Sequence, residues 1–420
     1  RIIVKVAEID TVCFIGAGTM GCFNALMAGA AGYHAVIFDI SNQALSNVPT
    51  LLQEMIDGLL EAGFFTQQQI ELAQSAISVQ ANLSMALANA QLVSESVSER
   101  LNIKREVHRE LDQLCAQHVI ITSNTSKLLV SDIETSVANK HRFAAMHTHL
   151  GSRLIDIVPG INTSLQTMSQ LKRYVLSING YPLVLKKEYP GYVFNAMIGP
   201  VLATAKALVI ERVASKEDID RAWMLHQKLP IGPFGLMDLF GLNIIFDSWQ
   251  DPKPENAALQ DKILNFISPY IKQNKLGIKS GEGFYQYPNP AFKQPSFFTA
   301  NEHTEFLQQT LIGVLVVNAI IVAANDVASI EDIDRAWMIS MTVCQGPFGI
   351  LDSMGIDSFL ALFDDLIKLG FFSQLEQQSQ VQLYLQKYIR AQTLGEKSGS
   401  GFYQYPDPHY LHADFLVDCS

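Results

Sequence analysis

Apolar and polar positions fall into two regimes along this chain. In its first part, short apolar runs rich in β-branched residues punctuate longer stretches of helical periodicity. The runs are Thr11-Val-Cys-Phe-Ile15, Ala35-Val-Ile-Phe38, Leu92-Val93, Val119-Ile-Ile-Thr122, Arg142-Phe-Ala-Ala-Met146 and Leu154-Ile-Asp-Ile-Val158. Residues 22–31 and the Gln-, Ala- and Leu-rich stretch 46–89 between them read as helix, the latter lying outside the sheet. Strands alternating with helices predict an α/β Rossmann-type domain with a parallel sheet, whose ligands sit beyond the carboxyl ends of the strands. The remainder is helical in pattern. Its longest apolar stretch, Leu311–Ala324, is interrupted by Gly313 and Asn318 and predicts a buried helix too short to cross a bilayer.

The helical part is written twice. Glu217-Asp-Ile-Asp-Arg-Ala-Trp223 and Gly232-Pro-Phe-Gly235 recur 114 residues later, at Glu331–Trp337 and Gly346–Gly349. Lys279-Ser-Gly-Glu-Gly-Phe-Tyr-Gln-Tyr-Pro288 recurs 118 residues later, at Lys397–Pro406. Three unlike motifs in one order mark a duplicated domain rather than a short solenoid unit. The predicted organisation is therefore 1–187 for the Rossmann-type domain, 188–295 for a first all-α domain and 296–420 for a second. Matching glycines and prolines predict one backbone fold in both copies and an internal pseudo-dimer, leaving the chain a monomer.

Composition narrows the class. With 48% hydrophobic and 17% charged residues the chain is a folded globular protein, and a net charge of −11 argues against nucleic acid as a partner. Five scattered cysteines (Cys13, Cys22, Cys115, Cys344, Cys419) have no metal-ligand spacing and suit reduced thiols in a cytoplasmic protein. No resident metal, secretory signal or membrane span is expected. The chain opens on Arg1 rather than Met, as a trimmed chain or part of a longer polypeptide would.

The first strand feeds Gly16-Ala-Gly18-Thr19-Met20-Gly21, and the second ends at Asp39. Gly16 permits the tight turn, Gly18 lets the backbone approach a pyrophosphate, and Gly21 lets helix pack on strand, with the helix N-terminus offering donors to the anion. Asp39 can accept the ribose hydroxyls and would repel a 2′-phosphate; no Arg follows it, so NAD is favoured over NADP. Indeed no Lys or Arg occurs between Lys5 and Arg100. Other candidate residues follow the later strands: Glu95 and Glu99, then Ser123-Asn124-Thr125-Ser126, then His147.

These elements, with Lys104, Ile157-Val-Pro-Gly160, Pro190-Gly-Tyr-Val-Phe-Asn195, Gly232-Pro-Phe-Gly235 and Lys279–Tyr285, give a chain that resembles the L-3-hydroxyacyl-CoA dehydrogenase family over nearly its full length. The resemblance implies a helical C-terminal domain of that family's type, here doubled as in the dehydrogenase half of multifunctional β-oxidation proteins. It implies NAD as cofactor and a 3-hydroxyacyl-CoA thioester as substrate. By the same resemblance His147 is the catalytic base, Ser126 and Asn195 contact the substrate, and Glu99, Lys104 and Asn124 border the nicotinamide half of the cofactor. Taken by themselves, Glu95, Glu99 and Lys104 read as a solvated ion-pair cluster.

One departure stands out. The stretch from His147 to Asp156 is three residues shorter than the family's usual spacing, and Asp156 stands where a catalytic glutamate would be. A carboxylate within Leu154–Val158 is costly to bury without a partner, which points to His147. Arg153, a lysine or backbone amides are the alternative partners, and His149 is either a second candidate or a solvated loop residue. His108, His118 and His141 read as surface residues. The position matching Asn195 in the second copy is Gln309, which predicts a silent copy. Two other functions stay open: an NAD-dependent dehydrogenase of a free 3-hydroxy acid, and an NAD-binding subunit that has lost its dyad.

Overall fold

The computed structural model describes residues 5–252, 257–299 and 304–416; Arg1 and Cys419 lie outside them. The chain separates into two compact units, 1–193 with 326–340 and 413–420, and 194–325 with 341–412. This differs from three consecutive domains, because the stretch that opens the second repeat's acidic helix belongs with the first unit. Lys186 N donates to Val327 O at 2.8 Å, and Arg335 Nε donates to Phe415 O at 2.7 Å with its guanidinium over the Phe415 ring.

The first unit is built on one eight-stranded sheet of β1 (Thr11–Ile15), β2 (His34–Phe38), β3 (Ile77–Gln80), β4 (Leu92–Glu95), β5 (Ile120–Ser123), β6 (Phe143–Thr148), β7 (Leu154–Pro159) and β8 (Tyr181–Val184). The order is β3-β2-β1-β4-β5-β6-β7-β8. The chain runs outward from β1 through β2 to β3 and then restarts at β4 on the other side, so the topological switch lies between β1 and β4. The helices include α1 (Thr19–Ala30), α2 (Asn42–Glu61), α3 (Gln67–Ala76), α4 (Leu83–Leu87), α5 (Leu101–Leu114), α6 (Val130–Glu134) and α7 (Leu165–Ser177). One core contains Phe14, Phe23, Leu26, Ile37, Leu171 and Tyr174, drawn from α1, α7 and the strands between them.

Two expectations need correction. The stretch 46–89 is not helix throughout, since it contains the edge strand β3, half exposed and only four residues long, with Ile77 and Val79 its apolar positions. Nor is the sheet wholly parallel: β7 runs antiparallel to β6, because a turn of only five residues joins them and leaves no room for a crossover.

In the second unit, α8 (Phe194–Ile210), α9 (Lys216–Gln227), α10 (Pro233–Phe240), α11 (Leu242–Ser248) and α12 (Ala257–Lys272) carry the first copy. The second copy begins with α13 (Thr304–Ala324), continues through α14 (Ile330–Met341), whose residues up to 340 group with the first unit, and resumes in the second unit with α15 (Pro347–Met354), α16 (Ile356–Lys368) and α17 (Leu375–Ala391). At 21 residues, α13 is longer than its apolar run suggested and is apolar enough to span a bilayer, yet 67% of its most apolar window is buried. It packs along α8, α9, α15, α16 and α17.

The repeated motifs are hydrogen-bonded to one another. Asp220, from the acidic motif, accepts from Phe234 N (2.8 Å), Gly235 N (3.0 Å) and Tyr285 Oη (3.0 Å). Asp238, in α10, accepts from Phe284 N (2.8 Å), Tyr285 N (2.9 Å) and Tyr287 Oη (2.9 Å). Asp352 does the same for Phe402 N, Tyr403 N and Tyr405 Oη in the second copy, at 2.9–3.1 Å. A methyl group at Gly283 or Gly401 would lie 2.0 or 2.1 Å from the Asp238 or Asp352 Oδ1, which is why the turn needs glycine there.

Replacing Asp238 by Ala strands two buried N–H groups at about 1–3 kcal/mol each, for a loss of roughly 2–6 kcal/mol. Asp352→Ala should cost a similar amount, and urea denaturation of both variants measures it.

Candidate functional site

The first candidate region sits at the switch point. Gly16 follows β1 with φ +104°, and a side chain there would meet the Ser96 carbonyl at 2.7 Å; one at Gly21 would meet the Gly16 carbonyl at 1.8 Å. Gly18 differs, because a side chain there would meet nothing within 4 Å. It stands as N-cap of α1 with no capping side chain and no acid in the first turn, which begins at Thr19 and Met20. Uncapped N–H groups, the positive end of the helix and open space form a site for a phosphate anion. Asp39, just past β2, accepts from Ala17 N and Ser41 N at 2.8 Å, one through each oxygen. Its carboxylate is thereby fixed beside the glycine turn with lone pairs to spare for ribose hydroxyls. The residues present fit a dinucleotide.

The second region is the hairpin end of β6 and β7, where His147 and Asp156 are direct cross-strand partners. His147 Nδ1 lies 2.8 Å from Asp156 Oδ2, and His149 Nε2 lies 3.0 Å from the same oxygen. His147 and His149, two residues apart in extended backbone, project from one face. Asp156 is 1% exposed, and its Oδ1 has no hydrogen-bond partner among the described residues. Arg153 is not its partner: it donates to Asn179 O and Phe64 O and lies over the Phe64 ring. His149 is therefore neither a solvated loop residue nor the sole partner, but the second of two histidines on one carboxylate.

Burial by itself would raise the Asp156 carboxyl, but hydrogen bonds from both imidazoles outweigh it and hold it down to about 2. Burial lowers His147, as does the nearby His149, against the opposing pull of Asp156. An ionised Asp156 needs donors, which assigns the Nδ1 hydrogen to His147 and leaves its Nε2 lone pair available as a base. The Tyr192 ring lies 5.5 Å from that of His147, and its hydroxyl donates to Thr125 O at 2.8 Å.

Behind the hairpin lies a buried charged network. Glu95, at the end of β4, accepts from Lys104 Nζ (2.7 Å), Val97 N (2.7 Å) and Ser123 Oγ (2.6 Å), and pairs with His108 Nε2 (2.9 Å). Its burial is overridden by His108 and Lys104, which hold it down to about 2. Glu99 Oε1 accepts from Thr125 Oγ1, Ser126 N and Lys127 N, and so fixes the loop carrying Ser126. Asn124 Oδ1 accepts from Thr148 N at 2.8 Å, tying that loop to the strand between the two histidines.

This corrects the solvated ion-pair cluster. Glu95, Lys104 and His108 are at most 1% exposed. Lys104 reaches Glu95, Glu99 and Val97 O, so its ammonium is held inside the fold by two carboxylates and a carbonyl. His108 packs edge-on against Phe143 rather than facing water. The available signal was that Glu95 ends a strand of a sheet covered on both faces. Asn195 lies in the first turn of α8, in the second unit. Gln309 is exposed on α13, bonded to Glu305 at 3.3 Å.

A Rossmann-type unit with an NAD-shaped glycine turn, a histidine–aspartate pair at the end of its sheet and an attached helical unit defines a dinucleotide-dependent oxidoreductase. Comparison with known proteins makes this specific. The family model described as 3-hydroxyacyl-CoA dehydrogenase, NAD binding domain, matches residues 11–189, and the model for its C-terminal domain matches 191–287 and 306–405. The mouse mitochondrial hydroxyacyl-coenzyme A dehydrogenase is 31% identical over 290 residues, 66% of this chain and 91% of that protein. A 5-formyl-3-hydroxy-2-methylpyridine 4-carboxylate 5-dehydrogenase of Mesorhizobium japonicum is 29% identical over 293 residues, 66% of this chain and 91% of that one. The structure of Escherichia coli 3-hydroxybutyryl-CoA dehydrogenase superposes with a TM-score of 0.72 at 21% identity, over 90% of this chain and 99% of that one, a likeness of fold. The chain belongs to the 3-hydroxyacyl-CoA dehydrogenase family, and its cofactor is NAD.

Calorimetry should show NADH binding and NADPH binding far more weakly. Asp39→Ala should erase the difference by removing the carboxylate that repels a 2′-phosphate.

Proposed function

We propose that the chain oxidises a 3-hydroxyacyl-CoA to the 3-oxoacyl-CoA, with His147 as general base and Asp156 as its positioning partner. The observation that carries this reading is the 2.8 Å bond between His147 Nδ1 and Asp156, which leaves Nε2 as acceptor. NAD, when bound, accepts the hydride from C3. The protein must take the hydroxyl proton, and His147 Nε2 is the basic atom for it. As the proton arrives, Asp156 stabilises the imidazolium without being protonated. The five-residue turn sets Asp156 directly opposite His147 in the strand register, near enough for the shorter aspartate to reach the ring. Ser126 is assigned to the substrate oxygens, its loop held by Glu99, and the role of Asn195 rests on the family resemblance alone.

The relatives support a CoA thioester, while the Mesorhizobium enzyme's name describes a pyridine carboxylate. Parallel turnover with acetoacetyl-CoA plus NADH, and with free 3-hydroxybutyrate plus NAD, separates the two. Activity on the free acid alone would overturn the thioester reading, and no activity with intact NADH binding would indicate a degenerate subunit.

We also propose that the two helical copies pair within one chain as an internal pseudo-dimer, supported by the packing of α13 along α8 and α9. Light scattering should then find a monomer at micromolar concentration, and an obligate dimer would overturn this.

His147→Ala should lower turnover by about a hundred- to ten-thousandfold, the range of general base catalysis, while NADH still binds. Burial lowers the His147 pKa, and the base must be neutral. Oxidation should therefore rise with pH through a value below the ordinary histidine value of about 6.5, and reduction should fall through the same value. Steady-state pH profiles in both directions check the sign.

A further inference from the structure

The second histidine on Asp156 does more than the hydride-transfer reading requires. His147, His149 and Asp156 bring three metal-ligand atoms within 4.8 Å of one another. The two ring nitrogens converge on one carboxylate oxygen at 2.8 and 3.0 Å. Tetrahedral zinc, with bonds of about 2.0–2.2 Å, places its donor atoms roughly 3.3 Å apart, so these spacings need to open by only a few tenths of an ångström. The other carboxylate oxygen, which neither histidine reaches, adds a further observation. Asp156 Oδ1 is buried with no hydrogen-bond partner among the described residues, so the carboxylate keeps an unused lone-pair edge that a cation can take. The His149 side chain is 15% exposed, which gives an ion a way in. Two of the ligands, His147 and Asp156, come from paired strands, and His149 directly follows the first of them, so little order has to be created on binding.

We propose that His147 Nδ1, His149 Nε2 and the Asp156 carboxylate bind one divalent transition ion of the zinc class, with the fourth position open, and that this ion inhibits the enzyme. The ligand set of two imidazoles and one carboxylate suits zinc or cobalt and is poor for magnesium or calcium, which prefer oxygen. Coordination takes the Nδ1 lone pair of His147, so the hydrogen of the neutral ring must sit on Nε2. Likewise His149 carries its hydrogen on Nδ1, and Asp156 stays ionised, so no net proton is released from the neutral rings. An Nε2–H group donates and cannot accept, and the base is switched off by tautomer rather than by displacement. Only the inhibition rests on the proposed reaction; the binding does not.

The test uses the untagged full chain. Co²⁺ is added in molar steps and its visible ligand-field absorption is followed, then Zn²⁺ is added to displace it. One Co²⁺ per chain, displaced by Zn²⁺ and unaffected by Mg²⁺, is the expected result. His149→Phe should weaken binding by more than about a hundredfold, beyond what loss of an outer-shell partner costs. His149→Gln serves as a second variant, and NADH binding confirms that each is folded. His412→Ala, at an exposed histidine far along the chain, should leave the absorption unchanged. No stoichiometric absorption, binding untouched by both His149 variants, or binding lost with His412→Ala would each overturn the site. Zn²⁺ held at one equivalent without slowing acetoacetyl-CoA reduction would overturn the inhibition.

Discussion

A carboxylate taken out of water must find donors, and both units of this protein are organised around carboxylates that have done so. Removing such an ion from water costs several kcal/mol after relaxation, so each buried acid dictates what surrounds it. In the first unit Glu95 collects a lysine, a histidine, a serine and a backbone amide, and Asp156 collects two histidines. In the second, Asp220, Asp238 and Asp352 collect backbone amides and tyrosines.

The donors decide what each acid is for. Where they are titratable or cationic, as at Glu95 and Asp156, the acid is held low and stays charged. Where they are neutral, burial wins: Asp220 is pushed up to about 7, with the neighbouring Asp238 adding to the rise. A carboxyl of that kind is a lock that joins a helix start to a glycine turn. Asp156 is instead a source of negative charge aimed at an imidazole, and only that arrangement stabilises a proton arriving from outside.

The same distinction explains the asymmetry of the repeat. Asp238 and Asp352 keep the same three donors, and the same glycines make room for them, so both copies retain the backbone fold. Asn195 and Gln309 occupy matching places, yet Gln309 is exposed and spends its amide on Glu305 along its own helix. Packing constraints are duplicated faithfully here; the single asparagine is not.

The sequence by itself determined whatever depends on neighbours along the chain. The turn from β1 into α1, with Gly16 at positive φ and Gly21 against the turn, and the acid that closes β2 follow from local sterics and short spacing, as do the two helical copies with their glycine turns. Most of the strand pattern was legible for the same reason; β3 was not, because its alternating Ile77 and Val79 span only four residues inside a helical stretch, and neither was β8, whose four-residue run Tyr181-Pro-Leu-Val184 contains a proline. Tertiary structure decided the rest. Whether His108 and Lys104 face water or Glu95 depends on which side of α5 meets the sheet, and a helical pattern containing charged residues does not say. That His147 and His149 share Asp156 depends on the antiparallel register of β6 and β7, set by a five-residue turn. A shift of one residue would turn Asp156 to the other face of the sheet and leave both histidines without it.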